Sequence, residues 1–229
     1  MAAIFQIIKV VCIIYMAVGV TFVGPDSKRT FCYHGFTINR QMFIIKHMFK
    51  YCPFCASEKI RFEQSKVFRC PDCGFNYYHN TAAATACIVN TDAGILFLVR
   101  NKDPGKGMLD LPGGFVDPGE GAVDGLLREF TEELGLDLTS IPGRPTQNSM
   151  PVFFASFPNI YKYKNISYNT CDLFFYLDVP GLNEKVLHAE KEEISAIRFI
   201  KARDLDMEDI AFESIKKAVR LYIDMNVNN

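Results

Sequence analysis

The stretch from Gly114 to Leu136, GFVDPGEGAVDGLLREFTEELGL, decides the fold of this chain. Its apolar residues recur three and four positions apart, which predicts a helix from Gly121 to Leu136 with one apolar face. Glu129, Glu132 and Glu133 stand at i, i+3 and i+4, so their carboxylates project from one side of that helix. The apolar face consists of Val123, Leu126, Leu127, Phe130 and Leu134.

The three carboxylates of this helix predict a divalent-cation site. Like charges so close repel each other, and a cation placed between them converts that repulsion into ligation. Hard oxygen ligands suit Mg²⁺ or Mn²⁺, which share their coordination with substrate phosphates. The turn Leu111–Phe115, just before the helix, lets the backbone approach a metal or a phosphate. The spacing alone leaves one alternative open, an ordinary solvated acidic helix behind an ordinary glycine turn.

A longer pattern surrounds the three glutamates and identifies a family resemblance. It reads Gly114-x5-Glu120-x7-Arg128-Glu129-Phe130-x-Glu132-Glu133-Leu134-Gly135-Leu136 and resembles the Nudix signature at every defining position. The resemblance covers roughly residues 81 to 225. It implies an α/β fold, the Nudix α/β/α sandwich around a mixed sheet, and attack of water on a nucleoside diphosphate linked to another moiety.

The same resemblance implies roles for single residues. Glu129, Glu132 and Glu133 become the catalytic groups and the ligands of Mg²⁺ or Mn²⁺, and Glu129 is also the candidate acceptor of the proton from the attacking water. The Gly113 carbonyl is a further candidate ligand. Gly114 supports the turn, and a pair formed by the two remaining signature residues is expected to orient the loop against the helix. These two residues are Glu120 and Arg128.

Candidates outside the signature each have a plainer alternative. Glu193 is the candidate for an additional acidic metal ligand, but the run Glu190–Glu193 is equally typical of a solvated charged turn. Arg100 and Lys106 lie near the glycine-rich loop and are candidates for binding substrate phosphates. Basic residues in such loops are commonly just exposed.

An aromatic segment between residues 156 and 163 adds two candidates for substrate binding. Phe157 and Tyr161 could stack on a base, as aromatic faces do. A dimer surface or partly buried strand packing is favoured over that role. A homodimer is accordingly one expectation for this chain.

The remaining pattern predicts one mixed domain. Strands are expected at Ala82–Val89 and Gly94–Val99, joined by a turn, because apolar runs flank the turn residues 90–93. Further strands are expected at Pro151–Ser156, Thr170–Asp178 and Ile194–Ile200, and a final amphipathic helix at Ile210–Asp224.

Four of the eight cysteines form a separate pattern, Cys52-x2-Cys55 and Cys70-x2-Cys73. This spacing favours a small zinc ribbon, in which four thiolates close the shell of a structural Zn²⁺. A redox dithiol is the weaker alternative. Residues 48–80, the cysteine module, are therefore predicted to be a zinc ribbon ahead of a Nudix domain at 81–229.

Composition and the first segment bear on the compartment. The 25 basic and 26 acidic residues give a net charge of −1, which provides no overall case for binding nucleic acid. Residues 1–47 begin with an apolar run long enough for a membrane or signal segment. Either they anchor the protein in a membrane, or the protein begins at Met48. The second is favoured, because a zinc-thiolate site suits a reducing cytoplasm.

A zinc ribbon ahead of a Nudix domain resembles the NADH pyrophosphatase branch of the family. This resemblance implies a nucleotide-derived substrate such as ADP-ribose, NAD(H) or a similar dinucleotide. The chain departs from that branch because it has no tryptophan, so the branch motif Ser-Gln-Pro-Trp-Pro-Phe-Pro is absent. The alternative is a sensor without catalysis that binds a nucleotide sugar, with the ribbon contacting nucleic acid or a protein. An isomerase of prenyl diphosphates is disfavoured, since its extra Cys and Glu groups find no match.

Overall fold

The computed structural model describes residues 49–64, 66–138, 150–164 and 166–227. The predictions made for residues 1–47 lie outside these ranges. None of the helices in the described ranges has both the length and the apolar character needed to cross a membrane. The chain forms two compact units: one holds the described residues before Lys66 together with Arg69–Phe75, and the other holds Lys66–Phe68 and the residues from Asn76 onward.

Three short strands form a small sheet in the order β1-β2-β3. They are β1 (Arg61–Glu63), β2 (Val67–Arg69) and β3 (Asn76–Tyr78). Val67 and Phe68 are the buried apolar residues of β2. These few buried side chains form too small a core to stabilise the segment by themselves. A bound metal would add the stability that the core does not provide.

The larger sheet has six strands in the order β6-β5-β4-β8-β7, with β9 paired to β5. β4 and β8 run parallel, whereas the pairs β4–β5, β5–β6, β5–β9 and β7–β8 run antiparallel. The predicted mixed sheet is therefore confirmed. The strands are β4 (Ala82–Thr91), β5 (Gly94–Arg100), β6 (Leu109–Asp110), β7 (Val152–Tyr163), β8 (Ile166–Asp178) and β9 (Ile194–Ile200).

One helix covers each face of this sheet. The helices are α1 (Ala122–Leu134) and α2 (Glu213–Val227), and short 3-10 turns lie at Glu184–Val186, Ala202–Asp204 and Met207–Asp209. Side chains alternate along β4: Cys87 and Val89 pack with Phe130 of α1, and Ala86 and Ile88 pack with α2. Burying each large apolar side chain contributes about 1.5–3 kcal/mol. The two cores make the α/β/α sandwich that the signature implied.

Several boundaries differ from the sequence-based expectation, most by one to three residues. α2 begins at Glu213 rather than Ile210, because Ile210 is buried in an isolated bridge to Leu109 and the Ala211 amide donates to the Leu109 carbonyl. β7 continues beyond Ser156 to Tyr163, and β8 begins at Ile166 rather than Thr170. Pro158 is tolerated inside β7 since this strand lies at the edge of the sheet.

The signature loop enters the sheet between two strands that diverge. β4 and β5 pair only next to their turn, at Asn90↔Ile95 and Thr91↔Gly94. Farther from the turn, the loop carbonyls of Gly114 and Pro112 accept hydrogen bonds from the amides of Thr85 (2.8 Å) and Cys87 (2.9 Å). The loop is therefore fixed to β4 as though it were a further strand, which explains its defined position beside α1.

Candidate active site

A cavity of about 280 Å³ lies beside the signature loop. Its lining includes the side chains of Glu129 and Glu133 from α1, the backbone of Gly113 and Gly114, and Glu193 from the segment before β9. The structure thus brings two of the three signature glutamates together with the predicted extra-signature acid. All of these residues belong to the larger unit.

Glu133 is the most deeply buried acid of this group. Its Oε2 accepts a hydrogen bond from the Gly113 amide at 2.9 Å. Burial raises the pKa of Glu133 well above its ordinary value, and the negative charges of Asp110, Glu129 and Glu193 add to that effect, whereas the Gly113 hydrogen bond opposes it. A cation at this place would stabilise the ionised carboxylate.

Glu129 lies against the second glycine of the turn. A Cβ added to Gly114 would collide with the Glu129 carboxylate, and one added to Gly113 would collide with the Thr85 carbonyl. Gly113 also has a φ of +139°, which side-chain-bearing residues rarely adopt. Close approach to the backbone therefore requires glycine at position 113, whereas the contact at Gly114 is with the end of the flexible Glu129 side chain. Burial raises the pKa of Glu129, although the neighbouring Arg128 opposes this shift.

Arg128 ties the loop to the helix as the signature predicted. Its guanidinium donates to Glu120 at 2.8 Å, to Glu129 at 3.0 Å and to Glu132 at 2.9 Å. It also donates to the Phe115 carbonyl at 3.0 Å. The hydrogen bond to Glu120 leads the causes that raise the pKa of Arg128. One planar cation thus orients both the loop and a cavity carboxylate.

Glu132 differs from its two neighbours on α1. Its side chain is 57% exposed, and it does not belong to the cavity lining. Within the described residues, the side-chain oxygens of the three signature glutamates are not gathered as closely as the four cysteine sulfurs are. Arg128 holds the carboxylates of Glu129 and Glu132, and the Gly113 amide holds that of Glu133. Repulsion between like charges favours this separation.

Glu193 is the member of the run Glu190–Glu193 that reaches the cavity. Its carboxylate forms an ion pair with Lys102 at 2.7 Å, and its charge contributes to the raised pKa values of Glu129 and Glu133. The Glu190 carboxylate is engaged outside the cavity lining, where its Oε2 accepts a hydrogen bond from the Glu193 amide at 2.8 Å. Of the acids in this run, Glu193 alone is therefore placed to share a cation with the signature residues.

The predicted phosphate-binding residues separate in the structure. Arg100 lines the cavity, where its Nη1 forms a short ion pair with Asp110 and its Nε donates to the Pro104 carbonyl at 2.7 Å. Lys106 is exposed and lies outside the cavity lining. The glycines on both sides of Lys106 have positive φ values, so Lys106 lies in a turn that requires glycine.

The two predicted aromatic residues separate in the same way. Phe157 packs against Phe174 with ring centroids 5.9 Å apart and does not line the cavity, which agrees with strand packing. Tyr161 lines the cavity and contacts Phe115 edge to face, with ring centroids 5.5 Å apart. Strand alternation places both on the same face of β7, but at different depths.

Three acids of the cavity lining, Asp110, Asp117 and Asp172, were not predicted from the sequence. Asp110 precedes the glycine turn, and burial raises its pKa despite the opposing charge of Arg100. Asp172 is 8% exposed, and its Oδ2 accepts a hydrogen bond from the Ser214 hydroxyl at 2.6 Å. A signal for Asp172 existed, because it directly precedes the apolar run Leu173–Leu177 of β8.

The four cysteines of the module also come together. Cys52 and Cys73 have sulfurs 3.7 Å apart, and Cys55 and Cys70 have sulfurs 3.6 Å apart. All four sulfurs lie within 4.8 Å of one another. Tetrahedral zinc with bonds of about 2.3 Å would hold its sulfurs about 3.8 Å apart, so these residues fit that ion.

The thiols of this cluster differ in their pKa values: those of Cys55 and Cys73 are raised, that of Cys55 to about 12, whereas that of Cys70 is lowered. Burial acts to raise the pKa of Cys70, but the amides of Cys73 and Asp72 donate hydrogen bonds to the sulfur, and the net result is a pKa lowered to about 7. A thiol that ionises near neutral pH is a ready metal ligand.

Comparison with curated proteins gives partial matches. The chain is 35% identical over 97 residues to the ADP-ribose pyrophosphatase of Methanocaldococcus jannaschii, covering 39% of this chain and 57% of that protein. It is 30% identical over 102 residues to the NAD-capped RNA hydrolase NudC of Chromobacterium violaceum, covering 44% and 37%. The chain thus spans less than two thirds of the length of these relatives.

Comparison with solved structures and with a family profile reaches further. The crystal structure of a NUDIX hydrolase from Nitrosomonas europaea matches with a TM-score of 0.56 at 22% identity, over 79% of this chain and 94% of that one. This similarity shows the shared fold. The sequence profile of the NUDIX domain matches residues 79–222, which is more than half of the chain. The chain therefore belongs to the NUDIX family.

Proposed function

We propose that this protein hydrolyses the diphosphate linkage of a nucleoside diphosphate derivative to a nucleoside monophosphate and a second phosphorylated product. The observation that carries the proposal is the pair of largely buried carboxylates, Glu129 and Glu133, beside the Gly113-Gly114 backbone in one cavity. Among the described residues, no lysine or arginine is placed to pair with Glu133. A divalent cation is the partner that such a carboxylate requires.

The residues present fit Mg²⁺ or Mn²⁺. Glu129 and Glu133 would hold the ion, with Glu132, Glu193 and the Gly113 carbonyl as the additional oxygen donors. When bound, the cation neutralises the diphosphate and lowers the pKa of a bound water. All donors in this group are oxygens, which suits these hard cations.

The remaining chemistry falls to groups of the chain itself. Glu129 accepts the proton from the attacking water, because burial raises the proton affinity of its carboxylate. Arg128 holds that carboxylate in place and Glu120 holds Arg128. Arg100 is positioned by Asp110 and supplies the guanidinium that binds a substrate phosphate. Because Phe157 is packed away from the cavity, Tyr161 is the aromatic residue that contacts the substrate.

The substrate is proposed to be ADP-ribose, NAD(H) or a similar dinucleotide. The two relatives named above support this choice, since one is an ADP-ribose pyrophosphatase and the other an NAD-capped RNA hydrolase. The cavity supports it too, because its aromatic side chains suit a planar base, whereas Arg100 and a cation held by the acids would bind the phosphates.

The test is hydrolysis by the full chain of ADP-ribose, NADH, NAD⁺, diadenosine polyphosphates and nucleoside triphosphates. Mg²⁺ or Mn²⁺ should restore turnover after chelation, and Glu133→Gln should lower kcat roughly 100- to 1,000-fold. Glu192→Gln is the matched control, because Glu192 is exposed and lies outside the cavity lining. Binding of these compounds without any turnover would favour the nucleotide-sugar sensor instead.

We also propose that the four cysteines of the module bind one structural Zn²⁺. The sulfur spacing and the lowered pKa of Cys70 support this role. A tetrathiolate shell leaves no open position for catalysis. Zinc held in this way fits a reducing, cytoplasmic compartment, which is the compartment we propose.

A homodimer is proposed as the working assembly. β7 is an edge strand of 12 residues, and it carries the exposed apolar residues Val152, Phe153 and Ile160. Such an edge offers unpaired backbone groups to a second strand. Sedimentation of the purified protein would distinguish a dimer from a monomer.

A further inference from the structure

The floor of the cavity is built by three adjacent strands. In the sheet register, Ala84 of β4 lies beside Asp172 of β8, and Ala82 lies beside Thr170. On the other side of β8, Asn159 of β7 lies beside Thr170. Directly paired residues project from the same face of a sheet. Small alanines on β4 therefore leave room above a row of polar side chains on β8 and β7.

Two polar side chains of this floor, Asp172 and Thr170, keep hydrogen-bonding capacity that no other described side chain fills. Asp172 is held by the Ser214 hydroxyl of α2 through Oδ2, and its carboxylate has further capacity to accept hydrogen bonds. Thr170 is 3% exposed, and its buried hydroxyl has no hydrogen-bond partner among the described residues. Buried polar groups in native proteins are nearly always paired, so an unpaired hydroxyl in a cavity lining indicates a ligand.

Aromatic side chains stand over the same floor. Phe115 of the signature loop meets Tyr161 edge to face at 5.5 Å and Tyr168 at 6.4 Å between ring centroids. Tyr161 in turn contacts Phe212, with ring centroids 5.9 Å apart. Phe115, Tyr161 and Tyr168 also line a recess of about 430 Å³ that adjoins the cavity through shared residues. Flat apolar walls of this kind suit a planar ring.

We propose that this floor and these walls bind the base of the substrate and select adenine. Asp172 accepts a hydrogen bond from the amino group of the base, and Thr170 donates one to the neighbouring ring nitrogen. The proposal rests on the proposed function, since the diphosphate must occupy the carboxylate end of the same cavity. A ribose would not use the aromatic walls, and they therefore favour a base.

The opposite hydrogen-bonding pattern identifies the base that is rejected. Hypoxanthine has the same size as adenine but carries a carbonyl in place of the amino group and an N–H in place of the ring acceptor. The Asp172 oxygens are placed to accept hydrogen bonds, so they repel that carbonyl. The Thr170 hydroxyl can donate or accept, so the discrimination falls to Asp172, which the reversed pattern leaves facing an acceptor.

The test measures binding of AMP and IMP to the full chain by calorimetry, with turnover of NAD⁺ and its hypoxanthine analogue in parallel. The wild-type protein should bind AMP at least roughly tenfold more tightly than IMP. Asp172→Asn should reduce or invert that preference, because a carboxamide can donate to the carbonyl. Asp178→Asn on the same strand, outside the cavity lining, should leave the preference unchanged.

Thr170→Val is a second variant, which keeps the test valid if Asp172→Asn fails to fold. It replaces an unpaired buried hydroxyl by an isosteric methyl, so its melting temperature should not fall, while its affinity for AMP should fall several-fold. Equal affinity of the wild type for AMP and IMP would overturn the adenine subsite even if metal-dependent turnover were present. A clear preference for AMP without turnover of any compound would instead overturn the hydrolase and leave the subsite.

Discussion

The two regions proposed to bind metal differ in how completely the chain assembles them. The four cysteine sulfurs of the module already lie within 4.8 Å of one another, at spacings that suit a tetrahedral ion. The glutamates of α1 instead divide, with Glu133 held by the Gly113 amide, and Glu129 and Glu132 held by Arg128. Thiols tolerate close packing, whereas ionised carboxylates repel.

This difference matches the proposed roles of the two regions. A structural site gains from a closed ligand shell, since its metal stabilises the fold. A catalytic site needs positions left for water and substrate, so its acids must be held apart until the cation and the diphosphate arrive. Four predictions test this difference between the two regions, in order of decreasing effect.

The largest effect is expected at the module. Cys70→Ser should abolish the binding of one zinc per chain, because three thiolates leave the shell open. Amides of the module should then lose their protection from hydrogen exchange, since few other buried side chains support it. Zinc content by elemental analysis and exchange by mass spectrometry measure both effects. Cys171→Ser, outside the cluster, is the control. Retention of stoichiometric zinc by Cys70→Ser would refute the tetrathiolate site.

Arg128→Lys should produce the next largest effect. Lysine keeps the charge but cannot form the forked contacts to Glu120, Glu129 and the Phe115 carbonyl. We expect the free energy of unfolding to fall by about 1–2 kcal/mol in urea titrations, with a lower kcat. Arg203→Lys is the control, because its side chain is 77% exposed. Unchanged stability and activity of Arg128→Lys would show that the contacts around Arg128 do not organise the site.

The pH dependence of stability follows from the buried acids. The pKa values of Glu129 and Glu133 are raised from the ordinary value of 4.5, so as pH rises the unfolded chain loses these protons before the native one does. The metal-free protein therefore has its full stability below about pH 4.5 from these groups and loses it as pH rises through the native pKa values. Thermal melts with and without Mn²⁺ should diverge increasingly above that pH.

A constant benefit from Mn²⁺ across this range would contradict the assignment of the cation to buried carboxylates. Glu133→Gln supplies the internal control for the melts. A neutral side chain cannot titrate, so the loss of stability with rising pH should become smaller in the metal-free variant.

The smallest effect is expected for Glu132→Gln. Its carboxylate is 57% exposed and lies outside the cavity lining, so its charge is partly screened by solvent. Its kcat should fall less than that of Glu133→Gln, by about tenfold or below. Steady-state kinetics of both variants on the same substrate measure the ratio. Equal losses would show that the three glutamates act as one close cluster in the working enzyme.

The sequence predicted the parts of this site that depend on local spacing. Helical periodicity placed the three glutamates on one side of α1, and the signature paired Glu120 with Arg128, as the structure has them. The CxxC spacing brought four sulfurs together. Each of these depends on neighbours along a helix or within a short turn.

Features that depend on long-range pairing were not predictable in the same way. Asp172 reaches the cavity because β8 pairs in parallel with β4, and Ser214 meets it from α2. The extension of β7 to Tyr163 depends on its ladder with β8, which overrides the turn-like residues in that segment. The position of Lys106 in the sequence predicted a phosphate-binding residue, but Lys106 lies in a glycine-flanked turn outside the cavity lining.

The most direct test of the central claim is binding of Mn²⁺, followed by electron paramagnetic resonance alongside hydrolysis of ADP-ribose. We expect turnover of the wild-type protein to rise with occupancy of a Mn²⁺ site. Glu133→Gln should weaken Mn²⁺ binding at least roughly tenfold and lower kcat as well. The same affinity and the same turnover in Glu133→Gln would contradict the claim that the buried carboxylates of α1 hold the catalytic cation.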